Sequence, residues 1–153
     1  MKVVTFRALV VAGLFAGSNL ALAANDGQTQ VNGLLGSDPM YLSTWRHVVS
    51  KEERLPDWVV NLSGISRQQM TALDEGGHNY LVGPLCESQQ GCDHEQLIVA
   101  FSWDKQDAYA LLATVPAALP ADTSPRKTVY RWLGKPDKGM QQLLTEDLGK
   151  QGR

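Results

Sequence analysis

The chain is short of what a reaction centre or a cofactor site would need. Two cysteines and three histidines are spread over 153 residues. The one grouping among them, Cys86, Cys92 and His94, has a C-x5-C-x-H spacing that matches no standard zinc pattern, and no fourth ligand stands nearby in sequence. No strand-turn-helix nucleophile motif occurs, and the aspartates and glutamates are scattered without a recognisable pair. These absences argue against an enzyme and imply neither a metal nor a cofactor. A membrane-spanning helix needs about 20 apolar residues in a row, whereas the apolar run from Ala8 to Ala16 is broken at Gly17-Ser18-Asn19. Positive charge is not in excess either. With 14 basic and 16 acidic residues the formal net charge is −2, which makes nucleic acid and anionic membrane poor partners. No internal repeat is visible.

What the chain does have begins at its N-terminus. Lys2 and Arg7 form a basic start, the short apolar run follows, and a small polar stretch leads to Ala21-Leu22-Ala23. That order is a cleavable secretory signal over residues 1–23, with the periplasm as destination; a buried N-terminal helix is the competing reading. No cysteine near Ala24 offers a lipid anchor. Cleavage there would leave 130 residues, a length suited to one domain with a single core. Lys2 and Arg7 are two of the 14 basic residues and no acidic residue precedes Ala24, so 12 remain against 16 and the net charge becomes −4. In an oxidising compartment Cys86 and Cys92 read as one disulfide.

Residues 24–36 are polar and predict a flexible segment, with a single domain over 37–153. Ser37-Asp38-Pro39 marks a helix start, a capping side chain ahead of a proline suited to the first turn. Tyr41, Trp45, Val48 and Val49 then share one helical face, more simply a core stripe than a ligand stripe. Lys51-Glu52-Glu53-Arg54 is expected as its solvated end, with Pro56 as the stop. Trp58 to Leu62 predicts a short strand. Glu75-Gly76-Gly77 predicts a turn, and His78 to Leu85 a strand running into Cys86. Leu97 to Trp103 reads as a buried central strand, followed by the polar turn 104–107 and a returning strand from Ala108 to Val115. A proline-rich loop spans 116–125, Thr128 to Leu133 is a further strand, and Gly134-Lys135-Pro136-Asp137 opens a last helix with Met140, Leu143, Leu144 and Leu148 on one face. Helix, meandering strands and helix predict an α+β fold, a central antiparallel sheet flanked by N- and C-terminal helices.

Between two apolar strands lies Cys86-Glu87-Ser88-Gln89-Gln90-Gly91-Cys92. Closing a ring of seven residues contributes only about 2 kcal/mol by the chain-entropy argument, so it is a weak way to stabilise 130 residues. Its better use is to hold a polar tip rigid, which lowers the entropy lost when the tip binds a partner. A stapled hairpin turn with no further task is the plainer alternative. His47 in a helix, His78 beside a turn and His94 outside the ring read as surface residues.

Tyr80-Leu81-Val82-Gly83-Pro84-Leu85-Cys86, the closing Cys92, the strand Leu97-Ile98-Val99-Ala100-Phe101-Ser102-Trp103 and Tyr130-Arg131-Trp132-Leu133-Gly134-Lys135-Pro136-Asp137 together resemble the Ivy family, inhibitors of vertebrate lysozyme. The resemblance implies a periplasmic protein, often a homodimer, whose partner is a c-type lysozyme or a lytic transglycosylase. It also implies an inhibitory key, a Cys-Lys-Pro-His-Asp-Cys loop that enters the lysozyme cleft. Glycoside hydrolysis uses two carboxyl groups, one protonated and one ionised, and a histidine placed between them can bond both. Here the ring holds five residues between the cysteines where the family has four. Glu87, Ser88, Gln89, Gln90 and Gly91 stand in the target-binding loop, and no histidine lies inside it.

Overall fold

The computed structural model describes residues 29–66, 68–116 and 127–151. Along the chain come α1 (Val31–Ser37), α2 (Pro39–Val49), α3 (Asp57–Asn61), β1 (Thr71–Glu75), β2 (His78–Cys86), a 3-10 turn at Gly91–Asp93, β3 (Glu95–Ser102), β4 (Ala108–Thr114), β5 (Val129–Leu133) and α4 (Lys138–Gln151). The five strands form one antiparallel meander in the order β1-β2-β3-β4-β5. The expected α+β architecture is therefore present, a sheet with helices from both ends of the chain. The signal-peptide reading and all but the first residue of the 116–125 loop fall outside the described residues, as do residues 24–28 of the polar segment.

Both faces of the sheet are covered, which explains why its inner strands are apolar without alternation. Leu81, Leu85, Leu97, Val99, Phe101, Ala110 and Leu112 pack with residues of α1, α2 and α3. Tyr80, Val82, Ile98, Ala100 and Leu111 point to the other side, against Met140 and Leu144 of α4. A strand buried on both faces has no solvated side on which to place polar residues, so period 2 disappears.

α2 begins as its residues demand. Asp38 Oδ1 accepts the Met40 N–H at 2.8 Å and Pro39 sits at the first position, where its missing N–H costs no helical bond. Tyr41, Trp45 and Val49 are buried. Trp45 donates its indole N–H to the Val59 carbonyl at 2.9 Å, and both Tyr41 and Trp45 meet the Phe101 ring edge-on. The helix stops at Val49, ahead of the charged run expected to prolong it. Lys51 and Glu52 bond back only three residues, to the Val48 and Val49 carbonyls, and Arg54 takes a positive φ of 57°.

Three further elements differ from expectation. The segment Asp57–Asn61 is a helical turn, not a strand. Pro56 precedes it, Asp57 lies in its first turn, and Leu62 ends it in the left-handed region. Trp58, Val59 and Leu62 are all buried, a spacing of i, i+1 and i+4 that places them on one helical face; tertiary burial decides against the local β-propensity of Trp-Val-Val. Residues 31–36, expected as part of a flexible segment, are helical, with Val31 and Leu34 buried. The reason lies across the contact: a Cβ on Gly83 would stand 3.3 Å from Val31 and 2.8 Å from Met70, so a bare backbone on β2 lets α1 dock. Finally, β1 pairs with β2 from Thr71↔Val82 to Glu75↔His78. It is an edge strand, mostly exposed, and has no apolar run to announce it.

The last helix is capped by Asp137, whose Oδ1 accepts the Met140 N–H at 2.9 Å. Gly134 ahead of it has φ +81°, and a Cβ there would lie 2.4 Å from the Ala108 carbonyl oxygen. Only glycine fits both conditions. Among the described residues no helix is long and apolar enough to cross a membrane.

Candidate functional site

The ring is carried by the two most buried strands. β2 and β3 pair from Tyr80↔Ser102 to Cys86↔Gln96, and beyond that last pair the chain leaves the sheet. Cys86 and Cys92 are bonded, with their Cα atoms 5.0 Å apart. Both cysteines are buried, at 6% and 9% exposure, while Glu87, Ser88, Gln89 and Gln90 are exposed and Gly91 is half-buried. The disulfide thus lies at the root of the loop, and the polar residues form its tip.

Backbone contacts anchor that root from three sides. Cys86 exchanges two hydrogen bonds with Ile65, at 2.7 and 3.0 Å, and a Cβ on Gly64 would lie 2.4 Å from the Cys86 carbonyl oxygen. The Val115 N–H donates to the His94 carbonyl at 2.7 Å, tying β4 to the far side of the ring. Glu95 lies beneath: Trp58 Nε1 donates to its Oε2 at 3.1 Å and Thr114 Oγ1 to its Oε1 at 3.1 Å. The tip also has its own turn. The Gly91 N–H donates to both Ser88 O and Ser88 Oγ, at 3.1 and 3.0 Å, and the His94 N–H to Gly91 O at 3.0 Å.

These bonds divide four of the five candidate residues by role. Ser88 and Gly91 shape the turn. The side chains of Glu87 and Gln90 have no hydrogen-bond partner among the described residues, so both remain available to a partner. His94 is exposed but stands outside the ring, in a groove with Val115, Tyr130 and Gln151. His47 lies on exposed α2 surface and His78 beside the β1–β2 turn. Among the described residues no three His, Cys, Asp or Glu side chains group to hold a metal ion.

Sequence reasoning missed Ile65, Trp58 and Glu95, the supports of the loop. Glu95 had one available signal, an acid at the first position of a strand whose residues 97–101 are all apolar. It also missed the apolar surface beside the loop. Val129 and Tyr130 are 57% and 50% exposed, and Val129 pairs with Thr114 at the ring end of the sheet. Glu87, Asp93 and Glu95 make that end acidic.

Comparison with known proteins agrees with this geometry. Residues 41–150 match the family model described as inhibitor of vertebrate lysozyme (Ivy). An uncharacterized protein of Pseudomonas aeruginosa is 48% identical over 135 residues, covering 87% of this chain and 86% of the relative. The inhibitor of vertebrate lysozyme of the same organism is 34% identical over 145 residues, covering 93% and 92%. An uncharacterized protein of Yersinia pestis is 34% identical over 113 residues, covering 73% and 72%. With the sheet, the stapled loop at its end and these matches in agreement, the chain belongs to the Ivy family of inhibitors of vertebrate lysozyme.

Proposed function

We propose that the protein acts in the periplasm as an inhibitor of a muramidase, a c-type lysozyme or a lytic transglycosylase, by inserting the 86–92 loop into the enzyme's cleft. One observation carries this reading: an exposed polar tip rooted by a buried disulfide on the two central strands of the sheet. A cleft shaped for a polysaccharide accepts a narrow, rigid, polar projection, and rigidity removes the ordering cost that a free loop would meet on binding. The exposed pair Val129 and Tyr130 at the same end adds apolar contact area around the tip.

The chemistry of the tip favours a weakened grip on lysozyme. Gln89 and Gln90 can donate amide hydrogen bonds to carboxylates, but a neutral amide lacks the Coulombic attraction that an imidazolium would add. Glu87 brings a negative charge toward a carboxylate pair, which is repulsive in a cleft of low dielectric. A transglycosylase with one catalytic acid suits a neutral amide tip better. The absence of a histidine from the ring supports a second reading, a periplasmic interaction protein that keeps the fold without inhibiting.

Titration of the purified mature protein against hen-type lysozyme and against a periplasmic transglycosylase, with lysis of cell-wall substrate as readout, separates the two. Stoichiometric inhibition that is lost in Gln89→Ala or Gln90→Ala supports the loop. No inhibition of either enzyme at micromolar protein leaves only the second reading. Replacing the ring by Cys-Lys-Pro-His-Asp-Cys should strengthen lysozyme inhibition if the surrounding surface is competent.

A further inference from the structure

At the other end of the sheet, where the β1–β2 and β3–β4 turns meet the start of α4, lies an open cleft of about 610 Å³. Glu75, Tyr80, Trp103, Asp107, Tyr109 and Asp137 line it. Tyr80 lies six residues before Cys86 on β2, so the cleft is about 20 Å from the ring along the strand and forms no part of the loop surface.

Charge and hydrogen bonding in the cleft are left unbalanced by the protein itself. Glu75, Asp107 and Asp137 pair with no lysine, arginine or histidine among the described residues, and no lysine or arginine lines the cleft. Asp104 and His78 also line the cleft; Asp104 is engaged by the Ser102 hydroxyl at 2.6 Å and the Gln106 N–H at 3.0 Å, and His78 acts on that aspartate. Asp137 lends one oxygen to the α4 cap. Glu75 lies over Gly139, so close that a Cβ there would collide with its carboxylate; the bare first turn of α4 makes room for it, and the helix N-terminus steadies its charge.

A second feature is independent of the acids. Tyr80 is 93% buried, being 7% exposed, yet its hydroxyl has no hydrogen-bond partner among the described residues. Its ring packs edge-on against Tyr109 at 6.2 Å. Burial and the charges of Asp107, Glu75 and Asp137 hold both phenols above their ordinary values, so the hydroxyls stay protonated and polar in sight of three carboxylates. With the rest of the side chain buried, the hydroxyl is the part of Tyr80 that reaches the cleft, where these three carboxylates stand.

We propose that this cleft binds an organic cation, a guanidinium or alkylammonium group, held by Glu75, Asp107 and Asp137, accepted by the Tyr80 hydroxyl and covered by Trp103. Carboxylates flanking a planar guanidinium give charge-assisted bonds, a phenol oxygen accepts a further N–H, and the half-exposed Trp103 offers a cation–π face. A bare divalent ion fits less well, since no three acidic or histidine side chains among the described residues group as metal ligands. A free amine and a basic side chain of a protein partner share this chemistry.

The test is NMR titration of the full mature chain, following the Gly76 and Gly77 amides and the Trp103 indole. Three probes separate the sources: ethylguanidinium, acetyl-Gly-Arg-Gly-amide, and the citrulline peptide as neutral isostere. Saturable shifts with the first two and none with citrulline support the site. A peptide at least about tenfold tighter than ethylguanidinium assigns the group to a polypeptide, and equal affinities assign it to a small cation. Tyr80→Phe keeps the core ring and should weaken binding about fivefold, the loss of one hydrogen bond. Asp107→Asn, at an exposed turn position, should weaken it by at least as much. Equal shifts with citrulline, unchanged affinity in both variants, or saturable calcium binding at the same resonances would overturn the proposal.

Discussion

The two ends of the sheet are built from the same strands and solve opposite problems. At the ring end the chain projects beyond its last pair, Cys86↔Gln96, into solvent. A projecting tip has no packing to hold it, so its order comes from a covalent closure, a bifurcated turn at Ser88 and Gly91, and the anchors Ile65 and Glu95. At the opposite end the chain recedes. The turns Gly76-Gly77 and 103–107 stand around a cleft floored by Tyr80 and Tyr109 and closed by the α4 cap. No staple is needed there, because packing against Met140 and Leu144 already fixes the floor. Convex surfaces in this molecule are held by bonds, concave ones by core.

Breaking the common support should affect both ends together. Phe101 is fully buried and touches Tyr41 and Trp45; Phe101→Ala should cost about 3 to 5 kcal/mol, measured by urea unfolding. If it lowered enzyme binding but left ethylguanidinium titration intact at equal folded fraction, the idea of a shared core would fail. Next in size is the double change Cys86→Ser with Cys92→Ser. It should cost about 2 kcal/mol and at least about tenfold in affinity for the target enzyme through the ordering of a freed loop, while the cleft resonances stay in place. Trp58→Phe removes the donor to Glu95 and nothing from the far end. A loss of about 1 kcal/mol is expected, with amide exchange quickening around Cys92 and His94 and not around Gly76.

The smallest effect concerns pH. Asp147, on the ring-end half of α4, is only 4% exposed. Burial raises its pKa above the ordinary 3.8, against the opposing pull of Lys150 and a hydrogen bond from Gln151. The folded state therefore holds this proton more tightly than the unfolded chain. That contribution to stability is complete below about pH 3.8 and disappears as the pH rises through the folded value. At neutral pH the buried charge is a liability, so Asp147→Asn should unfold at a higher temperature than the parent at pH 7. The gap should narrow toward pH 4. A constant gap across that range would assign the effect to packing.

Much of the ring end was legible in the sequence, and little of the other. Two cysteines in a chain read as exported imply a bond, Leu97 to Ser102 reads as an inner strand, and Asp38-Pro39 and Asp137 announce their helices. Those signals are local, carried by residues within a few positions of one another. Residues 31–36 read as tether because Asn32, Gly33 and Gly36 dilute three apolar side chains, and their order depends on Gly83 some fifty residues away. Trp58-Val59-Val60 has strand-like residues and a helix-like spacing, and the spacing prevailed once Pro56 and Leu62 bounded it. The cleft was illegible for the same reason in stronger form: Glu75, Tyr80, Asp107 and Asp137 come from four separate segments, none of them a motif.

By itself, then, the sequence determined the class of fold, the stapled ring and its polar contents, since strand burial, helix caps and cysteine pairing are short-range consequences of side-chain chemistry. Only the tertiary structure decided which groups face outward together. It set the loop on Ile65 and Glu95, placed Val129 and Tyr130 beside it, and gathered three carboxylates without a cationic partner around the hydroxyl of a buried tyrosine. The physical reason is that an antiparallel meander returns distant turns to the same end of the sheet, where charge and hydrogen bonding act through space with no regard to order along the chain.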